Sequence, residues 1–358
     1  MTAVVRWRSG TVTAVRRRWH GAVELEAEVA GDTLRALAYP ALVGEPRVGD
    51  RVLLNVGALA LGLGTGGYAF VVALPDRLPA DAPSTVDSGH IVKARYTPLQ
   101  AIVLGVEEEA SPHHAVLTDA DDLDGLPVVT ADLHSALPAV LAGIRATRPD
   151  SVVAYLMTDG AALPAWFSRT LDALRDHLAG TVTVGQAFGG DIEAATVHSG
   201  LLAARHVLGA DLVVVAQGPG NLGSGTRWGF SGVAVGEAVN AVAALGGRPV
   251  GALRVSAADA RSRHRGVSHH SLTAYGRVAL APADLVLPAG LEPDFAAELT
   301  AALAPLLGRH RVVTVPTSGL DAALRTSPAP LSTMGRGLDD DYPYFLTAAA
   351  AGRHAASL

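Results

Sequence analysis

Two patterns of hydrophobic and polar positions divide the chain. In residues 3–75, apolar residues alternate with polar or charged ones over short stretches such as 4–14 and 22–29. A period of two is typical of β-strands, and turn sequences such as Gly31-Asp32 separate the stretches. Several short strands at this spacing predict a small N-terminal β-barrel of the SH3 or OB kind over residues 1–75.

From about residue 91, apolar runs alternate with helical patterns. The predicted strands lie at 100–106, 151–157, 181–187, 211–216, 249–255 and 311–315, and the predicted helices at 132–146, 164–178, 192–208, 233–245 and 292–307. Continuous apolar strands between helices are typical of a parallel sheet covered on both faces. The pattern predicts a doubly wound, mostly parallel, Rossmann-like α/β domain over residues 91–358. A C-terminal extension begins near 320, and a linker with two prolines spans 76–90.

Composition narrows the function classes. Hydrophobic residues make up 49% of the 358 residues and charged residues 17%, which excludes a wholly disordered chain. The net charge of -6 does not indicate a protein that binds nucleic acid through overall positive charge. Because there is no cysteine, disulfides, thiolate nucleophiles and Cys-ligated metals are excluded, so a divalent metal would need His, Asp or Glu ligands.

Two segments bear on localisation. Residues 1–10 contain Arg6 and Arg8 but no apolar core of a signal peptide, so we expect a cytoplasmic protein. Residues 52–75 carry no charge and are long enough to cross a bilayer. Their dense glycines disfavour a helix, so we predict a barrel strand, a turn and a second strand, with no membrane partner.

Polar residues follow two of the predicted strands, where ligands of a parallel sheet bind. Asp159, before Gly160, is placed to ligate a metal or orient a substrate; the alternative is a turn residue. Asp191 and His198 are seven residues apart and would share one face of the predicted helix. The alternative for Asp191 is an N-cap.

A glycine-rich loop runs from Gly218 to Gly232. Three of its glycines formally match G-x-G-x-x-G, yet Pro219 removes a backbone donor and no acidic residue follows at the expected distance. The sequence therefore holds no nucleotide-cofactor fingerprint. Backbone N–H groups of such a loop suit an anion. The candidate anion-binding residues here are Gly218, Gly220, Gly223, Gly225, Thr226 and Arg227. Glu237, on the apolar helix that follows, needs a partner or water and is a further site candidate.

The most distinctive segment, residues 256–271, combines His264, His269 and His270 with Arg261 and Arg263. Three histidines in seven residues can bind a metal or act as acid and base. Arginines repel a bare cation and favour phosphate or carboxylate. Anion recognition with histidine acid–base chemistry is therefore preferred, and a metal requires nearby carboxylates such as Asp159, Asp191 or Glu237.

Several strings of residues resemble one bacterial family nearly from end to end. They read GLGTGGYAFVV, VKARYTPLQ, YLMTDGAALP, GQAFGGD, HSG, GPGNLGSGT, RHRGVSHHS and STMGRGLDDD. The chain is similar in these to the family known as domain of unknown function 3866. The resemblance implies a full-length family member and implies no activity, cofactor or residue role.

The leading hypothesis is a hydrolase acting on a small anionic or phosphorylated substrate at the carboxyl edge of the sheet. Arg227, Arg261 and Arg263 would hold the anion and the three histidines would move protons. The rival is a non-catalytic module that senses a metabolite or uses the barrel, with its local Arg and Trp residues, to bind nucleic acid or protein. A homo-oligomer is compatible with the Ala- and Gly-rich helices but is not required.

Overall fold

A computed structural model describes residues 5–80 and 89–358 of the chain. The chain divides into two compact units, Met1–Val103 and Leu104–Leu358. Residues 81–88 of the predicted linker lie outside the described residues.

The first unit contains the predicted barrel. Its five strands are β1 (Trp7–Trp19), β2 (Ala22–Val29), β3 (Asp32–Ala38), β4 (Arg51–Asn55) and β5 (Ala69–Ala73). They close in the order β1-β2-β3-β5-β4, with β3 and β5 parallel. Alternate apolar side chains such as Leu25, Ala27 and Leu54 fill the interior.

The uncharged stretch at 52–75 forms β4, the short helix α2 (Gly57–Ala60) and β5, which confirms the predicted strand, turn and strand. Within the described residues, every helix is too short or too polar to cross a bilayer. The arginines of the barrel are partly engaged, since Arg16 pairs with Glu26 and Arg18 with Glu45.

Three short elements complete the described part of the first unit. They are α1 (Pro40–Val43), β6 (Ile91–Lys93) and β7 (Ala101–Val103). The predicted strand at 100–106 corresponds to β7, but it pairs antiparallel with β6 in a separate hairpin. Only its last residues meet the large parallel sheet, where Gly105 forms a single parallel bridge with Glu193 of the edge strand Ile192–Ala194.

The second unit is built on eight parallel strands. From one edge to the other these are β11 (Ile192–Ala194), β10 (Gly180–Val184), β9 (Val153–Thr158), β12 (Leu212–Gln217), β8 (Pro127–Ala131), β13 (Arg248–Ala252), β16 (Asp284–Pro288) and β17 (Arg311–Val315). From β9 to β11 the chain adds strands towards one edge of the sheet. The next strand, β12, then lies back between β9 and β8, and β13, β16 and β17 extend the sheet towards the other edge. In a doubly wound sheet, a crevice opens beyond the carboxyl ends of the strands at such a reversal.

Helices cover both faces of this sheet, so the doubly wound α/β prediction is confirmed. One face packs against α4 (Leu137–Arg145), α5 (Arg169–Leu174), α10 (Leu320–Arg325) and α11 (Tyr342–Ala356). The other packs against α6 (Val197–His206), α7 (Ala234–Ala244) and α9 (Pro293–Leu303). The remaining short elements are α3 (His114–Leu117), α8 (His269–Thr273), the strand pairs β14 (Val255–Ser256) with β15 (Gly266–Val267) and β18 (Ser332–Thr333) with β19 (Arg336–Gly337), 3₁₀ turns at His134–Ala136, Ala165–Phe167, Arg175–His177, Ser231–Val233, Ser262–His264 and Ala304–Leu306, and a π-helical turn at Ala274–Val278.

Helices α4 and α11 approach each other so closely that glycine is required at their crossing. A β-carbon on Gly143 would lie 1.8 Å from the carbonyl oxygen of Ala349, and one on Gly352 would lie 2.0 Å from that of Val140. Neither contact is sterically allowed, so any larger residue must push the two helices apart.

The helix predicted at 192–208 begins later than expected, because residues Ile192–Ala194 form the edge strand β11. Its N-cap is Thr196, whose side chain accepts the Ser199 N–H in a capping box. Asp191 is therefore not an N-cap and does not share a helix face with His198. Both interpretations of that pair were wrong.

Candidate functional site

Three histidines meet beyond the carboxyl end of β13. The antiparallel pair β14 and β15 folds the chain back, so that His264 in a 3₁₀ turn lies beside His269 and His270 at the start of α8. One ligand nitrogen from each lies within 4.8 Å of the others. The ring centroids are 4.4 to 4.9 Å apart. These residues form what we call the histidine cluster.

Neighbouring side chains hold two of the rings in place. The Nδ1 of His264 lies 2.8 Å from the hydroxyl of Ser268, which is also the N-cap of α8. The ring of His270 stacks on Phe230, with centroids 3.8 Å apart and planes 5° from parallel. Its Nδ1 is 3.7 Å from Oδ2 of Asp132 and 3.5 Å from Nη1 of Arg254.

Three polar atoms of the cluster and its neighbours are buried without a hydrogen bond within the described residues. They are Oδ2 of Asp132, Nε2 of His269 and Nη2 of Arg254. Asp132 follows β8 directly and is only 5% exposed. An unpartnered buried carboxylate oxygen costs free energy, which a cation or a protonated neighbour would offset.

An ion network centred on the buried carboxylate of Asp259 adjoins the cluster through Arg254, which lies near both Asp259 and His270. The carboxylate of Asp259 accepts hydrogen bonds from Arg261 and Arg336 and lies 3.5 Å from Arg254. Arg336 also donates to Asp341 at 3.0 Å. The Arg261 hydrogen bond, with further help from the charge of Arg336, holds the pKa of Asp259 well below its usual range. These arginines are thus occupied by carboxylates of the chain itself.

Burial keeps two rings of the histidine cluster, His264 and His269, uncharged. Desolvation, together with the positive charge of Arg254, lowers the pKa of His264 to about 3. Desolvation and the neighbouring His270 and Arg263 lower the pKa of His269 to about 4. At neutral pH both rings are therefore neutral and carry a free lone pair, which is the form that binds a metal. They are poor proton donors, which weakens the predicted acid–base role.

A cavity of about 410 Å³ opens beyond the ends of β8 and β12. Gly218 and Gly220 of the glycine-rich loop lie on its wall, as do His134, Ser168 and Gln217. Nε2 of Gln217 donates to the backbone oxygen of Asp132 at 2.7 Å, which links the cavity wall to the residue beside His270.

The rest of the glycine-rich loop forms a small antiparallel turn in which Gly223 pairs with Phe230. The Thr226 hydroxyl accepts the Gly229 N–H at 3.1 Å and is used in closing that turn. Arg227 is exposed, and Arg263 lies beside Gly225, with Nη2 3.9 Å from where a β-carbon would stand. Of the predicted anion-binding arginines, Arg227 and Arg263 are the exposed pair, whereas Arg261 is bound to Asp259.

The remaining predicted residues do not join the cluster. Asp159 is exposed and accepts the Gln186 N–H at 2.8 Å, a turn role. Asp191 accepts the Thr181 N–H near the start of β10, at the opposite edge of the sheet. The expected convergence of Asp159, Asp191 and Glu237 on the histidines is therefore not observed.

Glu237 and His198 are both exposed. Glu237 lies on α7, and His198 begins α6 beside the edge strand β11. Five strand spacings of about 4.8 Å separate β11 from β13, roughly 24 Å across the sheet. The carboxylates that do accompany the histidines are Asp132 and Asp259.

The family model described as Protein of unknown function (DUF3866) matches residues 35–352 of the 358. The chain belongs to the DUF3866 family. This confirms the resemblance drawn from the sequence strings. A search of the curated proteins finds no match.

Two strings of this DUF3866 protein that are distant in sequence supply one cluster of contacts. The string RHRGVSHHS provides the three histidines, and STMGRGLDDD provides Arg336 and Asp341. Sequence reasoning missed Asp132 and Arg254. Asp132 would have been found had residues Pro127–Ala131 been recognised as a strand, since it is the first residue beyond that strand.

Proposed function

We propose that this protein binds one divalent metal ion through His264, His269 and His270 and uses it to hydrolyse a small anionic substrate. The observation that carries the proposal is the meeting of three imidazoles with ligand nitrogens within 4.8 Å of one another. Histidine is the commonest metal ligand in proteins, and a zinc site with three protein ligands leaves a fourth position for water.

The spacing of the histidine nitrogens is close to that of a zinc site, but the rings must move closer together. Tetrahedral zinc has Zn–N distances of about 2.0–2.1 Å, so its ligand nitrogens stand roughly 3.3 Å apart. The rings of the histidine cluster must therefore close by up to about 1.5 Å, a shift that side-chain rotation supplies. Ser268 beside Nδ1 of His264 and Asp132 near Nδ1 of His270 are the kind of outer contacts that orient metal-binding imidazoles.

Charge balance favours an anionic substrate. The buried carboxylates Asp132, Asp259 and Asp341 are matched in number by Arg254, Arg261 and Arg336. A divalent ion held by the three imidazoles would thus carry excess positive charge into the site. Hydroxide and an anionic substrate would neutralise it, and the exposed Arg227 and Arg263 would attract that substrate.

A metal held by His264, His269 and His270 would supply Lewis-acid activation of a water molecule near neutral pH. The chain's own residues have separate tasks. Asp132 would hold His270 in orientation, Phe230 would fix the plane of that ring, and Arg263 would orient the substrate's anionic group.

The test begins with protein purified without chelator and analysed by elemental mass spectrometry, followed by calorimetric titration with Zn²⁺, Mn²⁺ and Co²⁺. We expect one equivalent bound by the wild type, a loss of at least tenfold in affinity for His269→Ala, and no change for the control His198→Ala. Hydrolysis of p-nitrophenyl phosphate should follow metal occupancy. Failure of all three ions to bind, or equal binding by His269→Ala, would overturn the proposal.

A further inference from the structure

The cavity beyond β8 and β12 holds a second chemically competent group of side chains, separate from the histidine cluster. The hydroxyl of Ser168 lies 2.7 Å from Nε2 of His134. On the other side of that ring, Nδ1 lies 2.9 Å from the hydroxyl of Tyr155. All three side chains are buried, and His134 and Ser168 both lie on the cavity wall.

The hydrogen bond that Tyr155 donates to a backbone carbonyl sets the direction of the hydrogen bonds between Tyr155 and His134 and between His134 and Ser168. The single proton of the Tyr155 hydroxyl is donated to a backbone carbonyl oxygen, that of Gln217 at 3.0 Å or Ala216 at 3.2 Å. Tyr155 must therefore accept the proton of Nδ1 of His134. The lone pair of the imidazole is then on Nε2, and the Ser168 hydroxyl donates to it.

The surroundings hold this arrangement in one protonation state. Complete burial lowers the pKa of His134 to about 4, so the ring is a neutral base across the physiological range. The Ser168 oxygen also accepts the Leu171 N–H at 3.1 Å as the N-cap of α5, which fixes its position. A hydroxyl hydrogen-bonded to a base that a third group orients is the geometry of an activated serine nucleophile.

The cavity gives such a nucleophile a substrate space. Its volume of about 410 Å³ lies in the range of small-molecule sites. Much of the wall is apolar, with Leu133, Pro138, Phe167 and Met334 among its residues. The loop after β12 also lines it, and the backbone N–H groups of Gly220 and Asn221 form no hydrogen bond within the described part of the chain. Free N–H groups of this kind can stabilise an oxyanion.

We propose that Ser168 is a covalent nucleophile, with His134 as its general base, for small carboxylic esters that have an apolar acyl group. Oγ of Ser168 bonds to the carbonyl carbon while Nε2 of His134 takes the hydroxyl proton. The bond to the leaving alcohol then breaks, and His134 protonates that alcohol. A water molecule next attacks the acyl-serine and gives a proton to His134. Release of the carboxylic acid returns that proton to Ser168.

Tyr155 acts as a positioning residue in this scheme, because it contacts His134 and not the substrate. This second activity does not depend on the metal proposed for the histidine cluster. The two sites can therefore be tested independently.

The first test uses the intact wild-type protein and a fluorophosphonate probe, with the labelled peptide identified by mass spectrometry. We expect the adduct on Ser168, with labelling unchanged by excess chelator. Ser168→Ala should abolish labelling, and His134→Gln should slow it by about 100-fold or more. The labelling rate should stay flat from pH 8 down to about pH 5 and fall below it.

The control variant is Thr196→Ala, which removes another N-cap of the same unit without touching the cavity. We expect this variant to be labelled like the wild type. If its labelling also fell, the loss of labelling in Ser168→Ala could be due to the lost helix cap alone. For Tyr155→Phe we expect slower labelling with a shifted pH profile, which a purely structural tyrosine would not produce.

p-Nitrophenyl butyrate supplies an independent readout, with a burst of p-nitrophenol of up to one equivalent expected from the wild type. A folded wild-type protein in which Ser168 stays unlabelled and no burst occurs would overturn the proposal. So would labelling confined to another serine. Loss of metal binding in the earlier titrations would leave this outcome unaffected, so the two proposals fail separately.

Discussion

The titration of His134 offers a quantitative test of the buried chain of contacts at the cavity. Its pKa is lowered by burial from an ordinary 6.5 to about 4. The unfolded chain therefore binds a proton more tightly than the folded protein between these values. Stability is fully present above pH 6.5 and is lost as the pH falls towards 4.

One pKa unit corresponds to about 1.36 kcal/mol, so the 2.5-unit difference is worth about 3 kcal/mol by pH 4 and about 2 kcal/mol between pH 7 and pH 5. The substitution His134→Gln removes the titration but keeps a polar side chain. At pH 7 the variant should be the less stable protein. At pH 5 its deficit should be smaller by about 2 kcal/mol, because only the wild type loses stability through this group.

Hydrogen–deuterium exchange by mass spectrometry suits this measurement, because the most protected peptides from β8 and β9 report the unfolding free energy of the second unit alone. Exchange is corrected for the intrinsic effect of pH. Carboxylates titrate in both proteins and cancel in the difference between variant and wild type. A deficit that is the same at pH 7 and pH 5 would refute the reasoning and place the pKa of His134 near its ordinary value.

Three further predictions concern substitutions. Gly143→Ala should destabilise the second unit by at least about 3 kcal/mol in urea unfolding, since its methyl group would meet the Ala349 carbonyl oxygen at 1.8 Å. Asp259→Asn should cost about 3–5 kcal/mol in the same assay, because it leaves buried arginine charge without its carboxylate. Asp132→Asn should weaken calorimetric Zn²⁺ affinity by about 10–100-fold, through loss of the charged neighbour of His270.

Each of these has a control and a contradicting result. Gly308→Ala adds a methyl group where nothing lies within 4 Å and should change stability little. Asp321→Asn removes an exposed partner of Arg325 and should cost at most about 1 kcal/mol. If Gly143→Ala unfolded at the same urea concentration as Gly308→Ala, the packing argument would be contradicted. If Asp259→Asn unfolded at the same urea concentration as Asp321→Asn, the charge argument would be contradicted. Unchanged Zn²⁺ affinity in Asp132→Asn would remove that aspartate from the metal site.

Alternation of apolar and polar residues was enough to predict the barrel, and continuous apolar runs between helical patterns were enough to predict the doubly wound sheet. Three of the eight strands were missed, for local reasons. Residues Pro127–Ala131 follow an acidic turn and begin with proline, so their apolar run is short. Asp284–Pro288 is only five residues long and ends in proline, and Ile192–Ala194 is only three residues long. Periodicity cannot separate such short runs from the helix or loop that follows.

The histidines of the site were identified because they are close in sequence, whereas their partners are distant. His270 and Asp132 are brought together only by the pairing of β8 with β13. His134, Tyr155 and Ser168 are likewise spread over three elements, and each alone reads as an ordinary core or capping residue. Asp159 and Asp191 were chosen for their place after predicted strands, and local backbone hydrogen bonds account for both.

The position of α11 in the chain has a consequence for biosynthesis. This helix packs on α4 and on the central strands β8 and β13, yet it follows all eight strands in chain order. While the ribosome is still translating residues before Tyr342, α4, α5 and α10 cover only part of this face, and the apolar side chains that α11 covers stay open to water. The nascent chain should therefore depend on chaperones until this helix emerges, and products of premature termination should be readily degraded.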